Sequence, residues 1–423
     1  MLLVASCIGG VFLGLGRGTL ATSDLSKYKP YYGHQVTMTG AISDDVDIKP
    51  QGAHMTLRNV RIDGYGFAGS VFATVKGGNG ARRSDEVTVR GVMNEGFGAF
   101  GASIMGDVIS VRRPMPGDIA LNVRDAFASD IRQTINEPEA SLGIGYLLGQ
   151  KSALPSNLVD ALKVAGLTHI VVASGYNLTI LVRIGRRLFA KVSKYLAMLT
   201  GSGLIVGFVA MTGLSPSMTR AGLVAGLGLW AWYYGRKFHP ITLLSIAASI
   251  TVLVNPSYVW GDLGWLLSFA AFAGVMIIAP VATAYFFGEE NVPFIGQLLI
   301  ETISAQIATL PIMIMAFQQL SVIAPIANLL ILPLIPFIML LVAIAGVGVM
   351  IAPALSAIIG WPAEQLLHLQ IMIINWCADI PWALEKPEWQ WRGMVLYIAI
   401  IAVIIMYMKL RTGYKLYTAS VVE

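Results

Sequence analysis

The chain has 423 residues, of which 56% are hydrophobic and 13% are charged, and its formal net charge is +5. Soluble globular proteins contain roughly 45 to 50% apolar and about 25% charged residues, so this composition excludes an ordinary soluble protein and indicates a polytopic membrane protein. The two cysteines, Cys7 and Cys377, both lie in apolar segments, which predicts neither a metal cluster nor a disulfide framework.

The apolar residues are unevenly distributed, which divides the chain into a soluble part and a membrane part. Residues 1–21 form an apolar run without a basic start, and we interpret them as a retained first transmembrane helix. Residues 28–113 have a soluble composition, and residues 117–160 have the spacing of amphipathic, interfacial helices. Residues 161–410 are a series of apolar runs that form the membrane core, and residues 411–423 form a cytoplasmic tail.

Five segments of the soluble part have the composition of β-strands. They are short, rich in Val, Thr, Ile and Met, and separated by turn residues such as the run KGGNGARRSD. Their sequences are HQVTMTGAIS, AHMTLRNVRI, FAGSVFATVK, DEVTVRGVM and ASIMGDVISVRR. Five strands in about 85 residues predict a small all-β barrel of the OB type.

Basic and aromatic residues are interleaved in this part of the chain. OB barrels hold single strands in this way, because phosphates attract cations and each base offers a face for stacking. Solvated surface roles for the cations and core roles for the phenylalanines are the alternatives. The aromatic residues are Tyr65, Phe67, Phe72, Phe97 and Phe100. The predicted DNA-binding residues are Arg58, Arg61, Lys76, Arg82, Arg83, Tyr65 and Phe67.

Nine further apolar runs follow, so the sequence predicts about ten transmembrane helices, each near the length of about 20 residues that a bilayer requires. The runs lie near residues 167–182, 196–213, 218–234, 241–254, 263–286, 294–317, 322–351, 357–377 and 394–408. Lys and Arg favour the cytoplasmic ends of spans. Basic clusters in RIGRRLFAKVSK, GRKFHP and KLRTGYK place both termini in the cytoplasm and the β domain on the outer side.

The segment GLTHIVVASGYNLTIL carries His169, Ser174, Tyr176 and Asn177 in a run long enough, with its flanks, to cross a bilayer. On one helix His169, Ala173, Tyr176 and Asn177 share a stripe, with apolar residues on the opposite side. Polar groups at membrane depth persist where protein or a wet cavity satisfies them. The segment is therefore a predicted wall of a translocation pathway.

Later spans contain further polar residues. Glu301, Ser304 and Gln306 lie in one run, and Glu301 is either functional or a neutral, hydrogen-bonded acid of the architecture. Asn328 lies among prolines that predict a broken helix. Arg220 either meets a phosphate, pairs with Glu301 or snorkels to the interface, and snorkelling is the default. The predicted pathway residues are His169, Ser174, Tyr176, Asn177, Arg220, Glu301, Ser304, Gln306 and Asn328.

Several of these segments resemble the ComEC family of competence proteins in order and spacing. They are GLTHIVVASGYNLTIL, GLSPSMTRAGL, NPSYVWGDLGWLLSFAAFAGV, SAQIATLPIM and APIANLLILPLI. The family places a small OB-like domain outside the membrane, ahead of this core. The resemblance implies a channel for single-stranded DNA in the cytoplasmic (inner) membrane during natural transformation. It also implies partners: membrane lipids, an outer DNA receptor, a cytosolic helicase-like motor and a separate nuclease, with a homodimer left open.

Two departures from the family pattern stand out. The family commonly reads Ser-Gly-Leu-His-Val where this chain has Asn177 in the place of the second histidine, so a hydrogen-bonding role survives there and a titrating one does not. Many members continue into a metallo-β-lactamase-like domain, which we do not expect in this chain. Its five histidines are scattered, and no metal site or other cofactor is predicted.

We therefore expect a channel and not an enzyme, and two alternatives remain open. Ser174 and Gly175 loosely echo the Ser-Gly of rhomboid-like intramembrane serine hydrolases, with His169 nearby. On one helix, residues five apart lie roughly 140 degrees around the axis, which argues against a nucleophile and its base. The second alternative is an exporter of a solute or lipid.

Overall fold

The computed structural model of the chain comprises two compact units. The described residues are 14, 16–20, 25–49, 52–76, 80–150, 154–171, 175–213, 215–236, 240–288, 292–387 and 391–414. The first unit comprises residues 1–123, 209–219 and 248–265, and the second comprises residues 124–208, 220–247 and 266–423. Most of the predicted first span and most of the predicted tail lie outside the described residues.

The first unit is mainly β-sheet. Its strands are β1 (Gln35–Ile42), β2 (Asp47–Lys49), β3 (Gly52–Ile62), β4 (Tyr65–Phe67), β5 (Ser70–Lys76), β6 (Glu86–Glu95) and β7 (Phe100–Arg112). Each of the five segments that the sequence analysis selected contains one of the longer strands, which are β1, β3, β5, β6 and β7. The short strands β2 and β4 both pair with β3.

The five longer strands form a closed circuit of backbone pairings. β1 pairs with β6, β6 with β7, β7 with β5, β5 with β3, and β3 again with β1. These pairings are antiparallel except that of β5 with β7, which is parallel. A closed circuit leaves none of these five strands with an unpaired edge.

Alternating apolar residues build the core inside this circuit. Buried positions recur at every second residue of β1 and β5, because successive side chains of a strand point to opposite faces. Met38, Leu57, Val71, Val87 and Ile104 contribute one fully buried side chain from each strand. The outward positions of β1 and β5 are half-buried or exposed.

From residue 119 onward the chain is mainly helical. The helices are α1 (Ile119–Arg132), α2 (Glu139–Leu148), α3 (Ser156–Val164), α4 (Thr168–Val171), α5 (Gly175–Ala190), α6 (Lys194–Thr212), α7 (Pro216–Tyr233), α8 (Pro240–Val254), α9 (Tyr258–Gly261), α10 (Leu263–Ala273), α11 (Ala279–Phe287), α12 (Phe294–Phe317), α13 (Ala324–Ile331), α14 (Ile335–Ile351), α15 (Ser356–Ala378) and α16 (Trp391–Thr412). Two short strands, β8 (Leu320–Ser321) and β9 (Leu384–Glu385), pair antiparallel.

Six helical segments of the described residues are long and apolar enough to cross a bilayer. They are Lys194–Thr212, Leu263–Phe287, Phe294–Phe317, Ala324–Ile351, Pro353–Ala378 and Trp391–Thr412. The other predicted spans beyond residue 160 fall on α4 with α5, on α7 and on the shorter apolar helix α8, none of which is among the six. The number of about ten spans therefore stays a prediction.

Two of the six segments are irregular helices. A 3-10 turn, Leu332–Leu334, joins α13 to α14, which confirms the break predicted from the prolines. A π-helical turn, Gly274–Ile278, joins α10 to α11 and was not predicted. A Cβ atom at Gly274 would lie 2.4 Å from the carbonyl oxygen of Ser304, so glycine lets α12 approach the backbone at this turn.

Helix α2 differs from the amphipathic, interfacial helix predicted for this region. All ten of its residues are buried. Gly143 packs against Val342 and Leu367, and Gly145 packs against Val171, because their missing side chains allow close approach. The helix therefore lies inside the second unit rather than along its surface.

Candidate functional site

One outward surface of the β region brings four aromatic side chains together. β3 supplies His54, β5 supplies Phe72, β7 supplies Phe100, and the loop before β7 supplies Phe97. The ring centroid of Phe72 lies 5.5 Å from that of His54, 5.2 Å from that of Phe97 and 5.4 Å from that of Phe100. We call these four residues the aromatic cluster. Phe97 is 54% exposed, so its ring remains accessible.

Two of the predicted cations flank the aromatic cluster. Arg58 lies four residues after His54 on β3, and Lys76 lies four residues after Phe72 on β5. Residues separated by an even number on a strand point to the same face. Arg58 is half-buried and Lys76 is exposed. The surface therefore combines flat rings with positive charge.

The other predicted DNA-binding residues of the β region have varied environments. Arg61 and Arg82 are exposed, and Tyr65 is 73% exposed. Phe67 instead packs against the core, with its ring centroid 5.1 Å from that of Tyr28. For Phe67 the structure thus favours the core alternative over stacking on DNA.

Arg83 is a structural residue in this conformation. It is 5% exposed, and its Nε donates a hydrogen bond to Asp118 Oδ2 at 2.9 Å. Its Nη1 donates to the carbonyl oxygen of Met211 at 2.9 Å, and its Nη2 donates to that of Ala210 at 3.0 Å. The last carbonyls of a helix lack partners within it, so Arg83 caps the C-terminal end of α6. It does not offer DNA the free cation that the sequence predicted.

Two carboxylates hold the loop between β5 and β6. Burial raises the pKa of Asp118. The hydrogen bonds from Arg83 and the Leu121 amide lower it by more, so the pKa of Asp118 lies below its usual value. Burial likewise raises the pKa of Asp85, and a hydrogen-bonded ion pair with Arg113 lowers it below the usual value. Both groups therefore favour their charged forms in the folded protein.

The polar segment that contains His169 is not one straight helix. Its described parts are α4 and α5, and residues 172–174, which include Ser174, lie outside the described residues. Asn177 Nδ2 donates to the carbonyl oxygen of Ile170 at 3.1 Å. Seven residues of a straight α-helix span about 10.5 Å, so this bond requires a change of direction. The predicted single stripe through His169, Tyr176 and Asn177 is therefore wrong, and so is the helical angle used against the hydrolase.

The described polar residues of this segment have different surroundings. Asn177 is fully buried and also donates to the carbonyl oxygen of Tyr146 at 3.0 Å, so it braces α5 against α2 and α4. The hydroxyl of Tyr176 donates to the carbonyl oxygen of Leu332 at 3.4 Å, and the residue is 42% exposed. His169 is exposed.

The polar residues of α12 also contact protein groups. Glu301 is half-buried and accepts a hydrogen bond from Gln297 Nε2 at 2.9 Å. Ser304 is 2% exposed, and Gln306 Nε2 donates to the carbonyl oxygen of Ser321 at 3.0 Å. Gln306 thereby ties the helix to the strand β8 that follows it.

A buried amide that sequence reasoning missed lies near Asn328. Gln370 of α15 is fully buried, and its Nε2 donates to the carbonyl oxygen of Ile331 at 3.3 Å. Asn328 is 6% exposed, and its Oδ1, like the Oε1 of Gln370, is buried without a hydrogen-bond partner. The signal in the sequence was a glutamine inside the apolar run HLQIMII.

Arg220 is buried rather than extended to the interface. It is 8% exposed, its Nη1 donates to the carbonyl oxygen of Ser268 at 3.3 Å, and its guanidinium carbon lies 5.4 Å from the ring centroid of Phe269. These contacts contradict the expectation of snorkelling. Within the described ranges, the ion pairs do not include one between Arg220 and Glu301, which was the second alternative.

The described residues include no group of three His, Cys, Asp or Glu side chains that could hold a metal ion. The second unit has a cavity of about 330 Å³, whose carboxylate, Glu137, is paired with Arg132 at 3.0 Å. The cavity is lined by Glu137, Pro138, Pro155, Asn157, Leu158, Ile371 and Asn375. This lining offers amides and apolar surface rather than a set of metal ligands.

Replacing Arg83 will loosen the contact between the loop before β6 and the C-terminal end of α6. In Arg83→Met, Asp118 is left without its ion-pair partner and two helix-end carbonyls lose their donor, which costs about 3 kcal/mol of local opening free energy. Amide hydrogen exchange of the full chain in detergent micelles will be faster at residues 84–88 and 210–213. Arg82→Met, which removes an exposed neighbour, is the matched control, and equal exchange in the two variants would contradict the capping role.

Acid will weaken the same loop. A carboxylate whose folded pKa is lowered stabilises the fold above its unfolded pKa of about 4, and this contribution is lost as the pH falls through the lower folded pKa. We expect hydrogen exchange in residues 80–90, corrected for the intrinsic effect of pH, to rise below about pH 4. Asp85→Asn will exchange faster at neutral pH and show a weaker dependence; an unchanged profile in this variant would remove Asp85 from the explanation.

Comparisons with known proteins give the chain a family. The family described as "Competence protein" matches residues 146–411, which is more than half of the chain. "ComE operon protein 3" of Bacillus subtilis (strain 168) is 27% identical over 56% of this chain and 30% of its own length. "Competence protein ComA" of Neisseria gonorrhoeae is 24% identical over 75% of this chain and 46% of its own length.

The chain thus spans less than half the length of the curated relatives it matches. No solved structure matches it. The family match extends from α2 to α16 and includes α5, α12 and α13, which carry the polar residues described above. The chain belongs to the ComEC family of competence proteins.

Proposed function

We propose that this protein passes single-stranded DNA across the cytoplasmic (inner) membrane during natural transformation. The β region receives the strand on the outer side, and the helical core conducts it. The observation that carries the proposal is the aromatic cluster, because it lies with flanking cations on one outward face of the β region. Membership of a competence family gives the substrate class.

The β region is proposed to be an OB-type barrel. The circuit β1-β3-β5-β7-β6 supports this assignment, since it is a five-stranded ring in which one pair, β5 with β7, is parallel. OB barrels bind oligonucleotides across their second and third strands and the adjoining loops. In this chain those strands are β3 and β5, and the loop before β7 is adjacent.

The aromatic cluster and its flanking cations fit an unpaired strand. Bases of a single strand are free to stack on rings such as Phe97, whereas bases of a duplex already stack on one another. Arg58 and Lys76, with the exposed Arg61 and Arg82, attract the phosphates. Tyr65 remains a predicted contact at the margin of this surface. Arg83 supports the loop instead of touching DNA.

The pathway through the core is proposed to run along the polar and small surfaces of α4, α5, α7, α12 and α13. A polyanion requires weak, neutral contacts inside a channel, because strong binding of phosphate would trap it. The residues assigned to this pathway are His169, Ser174, Tyr176, Asn177, Arg220, Glu301, Ser304, Gln306 and Asn328. Asn177 and Gln306 act indirectly, because both hold helices by bonds to backbone carbonyls.

The core carries no described motif for nucleotide hydrolysis, so the driving force is proposed to come from a cytosolic helicase-like motor. An outer receptor delivers the strand, and a separate nuclease removes its complement. The β region is proposed to lie on the outer side, because the cations of RIGRRLFAKVSK and KLRTGYK favour the cytoplasm. A second copy of the chain is compatible with this scheme.

The aromatic cluster gives a direct binding test. Phe97→Ala removes an exposed ring with little loss of packing, and we expect the Kd of the full chain in detergent micelles for labelled oligo(dT) to rise about tenfold. Fluorescence anisotropy measures it. Tyr195→Ala, which removes another exposed ring, is the control.

Charge contributes to the same binding surface. Reversing Arg58, Arg61 and Arg82 to Glu will weaken binding further and flatten its dependence on salt. Arg83 is left unchanged, because its reversal would disrupt its contacts with Asp118 and the C-terminal end of α6. If Phe97→Ala and the triple reversal both bind as the unaltered protein does, the β region is not the receiving site.

Transport is tested in vesicles that contain the full chain. The vesicles enclose a nuclease, which reports entry, and a trap for single strands, which supplies the driving force. Labelled single-stranded DNA placed on the outer side should reach the enclosed nuclease when the chain is present. Empty vesicles and duplex DNA are the controls. Ser174→Ala will keep transport, whereas a serine hydrolase would lose all activity; transport of solutes or lipids without any passage of DNA would favour the exporter.

A further inference from the structure

The turn between β6 and β7 carries Phe97, the most exposed ring of the aromatic cluster. We call residues 96–99 the Phe97 turn. Its backbone is tight, because the Phe100 amide donates to the carbonyl oxygen of Phe97 at 3.1 Å and Gly98 has a φ of +60°. Residues with a side chain rarely adopt this conformation. A turn at the end of two strands is mobile unless another element holds it.

Gly261, the last residue of α9, contacts the Phe97 turn through backbone alone. A Cβ atom at Gly261 would lie 2.4 Å from the carbonyl carbon of Gly98 and 2.5 Å from the amide nitrogen of Ala99. A Cβ atom at Gly98 would lie 2.5 Å from the carbonyl oxygen of Gly261. Only glycine allows two backbones to approach so closely. Both residues lie in the first unit.

Hydrogen bonds fix the chain on both sides of α9. Asn255 Oδ1 accepts from the backbone amide of Ser257 at 3.1 Å, and Asp262 Oδ1 accepts from the backbone amide of Trp265 at 2.6 Å. Such bonds hold a turn and a helix start in one conformation. α10 begins at Leu263, which starts a segment long and apolar enough to cross a bilayer. The Phe97 turn therefore rests on a fixed element at the start of a candidate span.

We propose that Gly261 is a positioning residue for single-stranded DNA, because it holds the Phe97 turn in the shape in which Phe97 stacks on a base. This inference rests on the proposed function. A ring that is already fixed loses less conformational freedom when a base stacks on it, so binding is tighter. Gly261 acts through Phe97 and makes no bond to the strand itself.

The alternative is that the two glycines only allow close packing and stabilise the fold. The two roles differ in one measurable respect. A positioning residue affects DNA binding only while Phe97 is present, whereas a residue that stabilises the fold affects it with or without that ring. The coupling between the two positions therefore distinguishes the roles.

A double-mutant cycle measures this coupling. In Gly261→Ala, the Kd of the full chain in detergent micelles for labelled oligo(dT) should rise about fivefold. In the Phe97→Ala background, the same substitution should change the Kd by less than about twofold. Gly203→Ala is the matched control, because Gly203 is an exposed glycine of α6 with no atom within 4 Å of an added Cβ. Fluorescence anisotropy measures all four Kd values.

A second variant and a second measurement keep the test decisive if Gly261→Ala disturbs the whole first unit. Gly98→Asn acts on the same contact from the other side: asparagine tolerates a positive φ, but its Cβ would meet the carbonyl oxygen of Gly261. Gly33→Asn is its control, since Gly33 has a φ of +79° and open space around it. In Gly261→Ala and in Gly98→Asn, amide hydrogen exchange should become faster at residues 96–101 and stay unchanged in β1 and β3.

The outcomes separate this inference from the proposed function. If Phe97→Ala weakens binding but Gly261→Ala and Gly98→Asn do not, the receiving surface stands and the positioning role is wrong. The positioning role is also wrong if both variants weaken binding equally with and without Phe97. If Phe97→Ala leaves the Kd unchanged, the aromatic cluster does not receive the strand, and both proposals are overturned.

Discussion

A polar group inside a bilayer must find its partner within the protein, and this requirement organises the helical core. Asn177, Gln306 and Gln370 each donate to a backbone carbonyl of another segment, so each of these three side chains fastens one piece of backbone to another. The carbonyls of Ile170, Ser321 and Ile331 lie at the ends of short elements, where regular helix bonding stops. Polar residues and helix breaks therefore occur together, because each break frees acceptors that the side chains satisfy.

Arg83 and Arg220, two of the three buried arginines among the described residues, are contrasting cases of this requirement. Arg83 has a carboxylate and two helix-end carbonyls, so its charge and its planar donors are matched within the protein. Arg220 has one carbonyl and an aromatic face, and its Nε is unpaired. The charge of Arg83 is thus compensated within the protein, whereas the described contacts of Arg220 include no anion, and removal from water is costly for an uncompensated charge. Burial alone does not distinguish the two; the partners do.

The sequence predicts the elements of this protein better than the environment of single residues. Period-two alternation located β1, β3, β5, β6 and β7, because a sheet with one buried face imposes that pattern locally, and proline located the turn before α14. The burial of Arg83 was not predictable, since its partners lie 35 and more than 120 residues away in the chain. The straight helix predicted around His169 was wrong for a related reason. A hydropathy pattern gives the length and polarity of a segment, whereas the hydrogen bond from Asn177 to Ile170 depends on the tertiary fold. Gln370 was missed because a single amide hardly alters the mean of an apolar run.

Conduction of a polyanion sets limits on how many charges such a core can carry. A row of arginines would bind successive phosphates and hold the strand, while a wholly neutral route would oppose the first charged group that left water. Arg220, the one arginine among the residues assigned to the proposed pathway, would lie between these limits, because a phosphate that left it could be replaced by the next phosphate of the same strand. Exchange of successive phosphates at Arg220 would keep its charge compensated at each step and leave the free energy of the strand nearly constant along the proposed pathway. The pulling force then has to overcome only the difference between adjacent positions, which an external motor can supply in small steps.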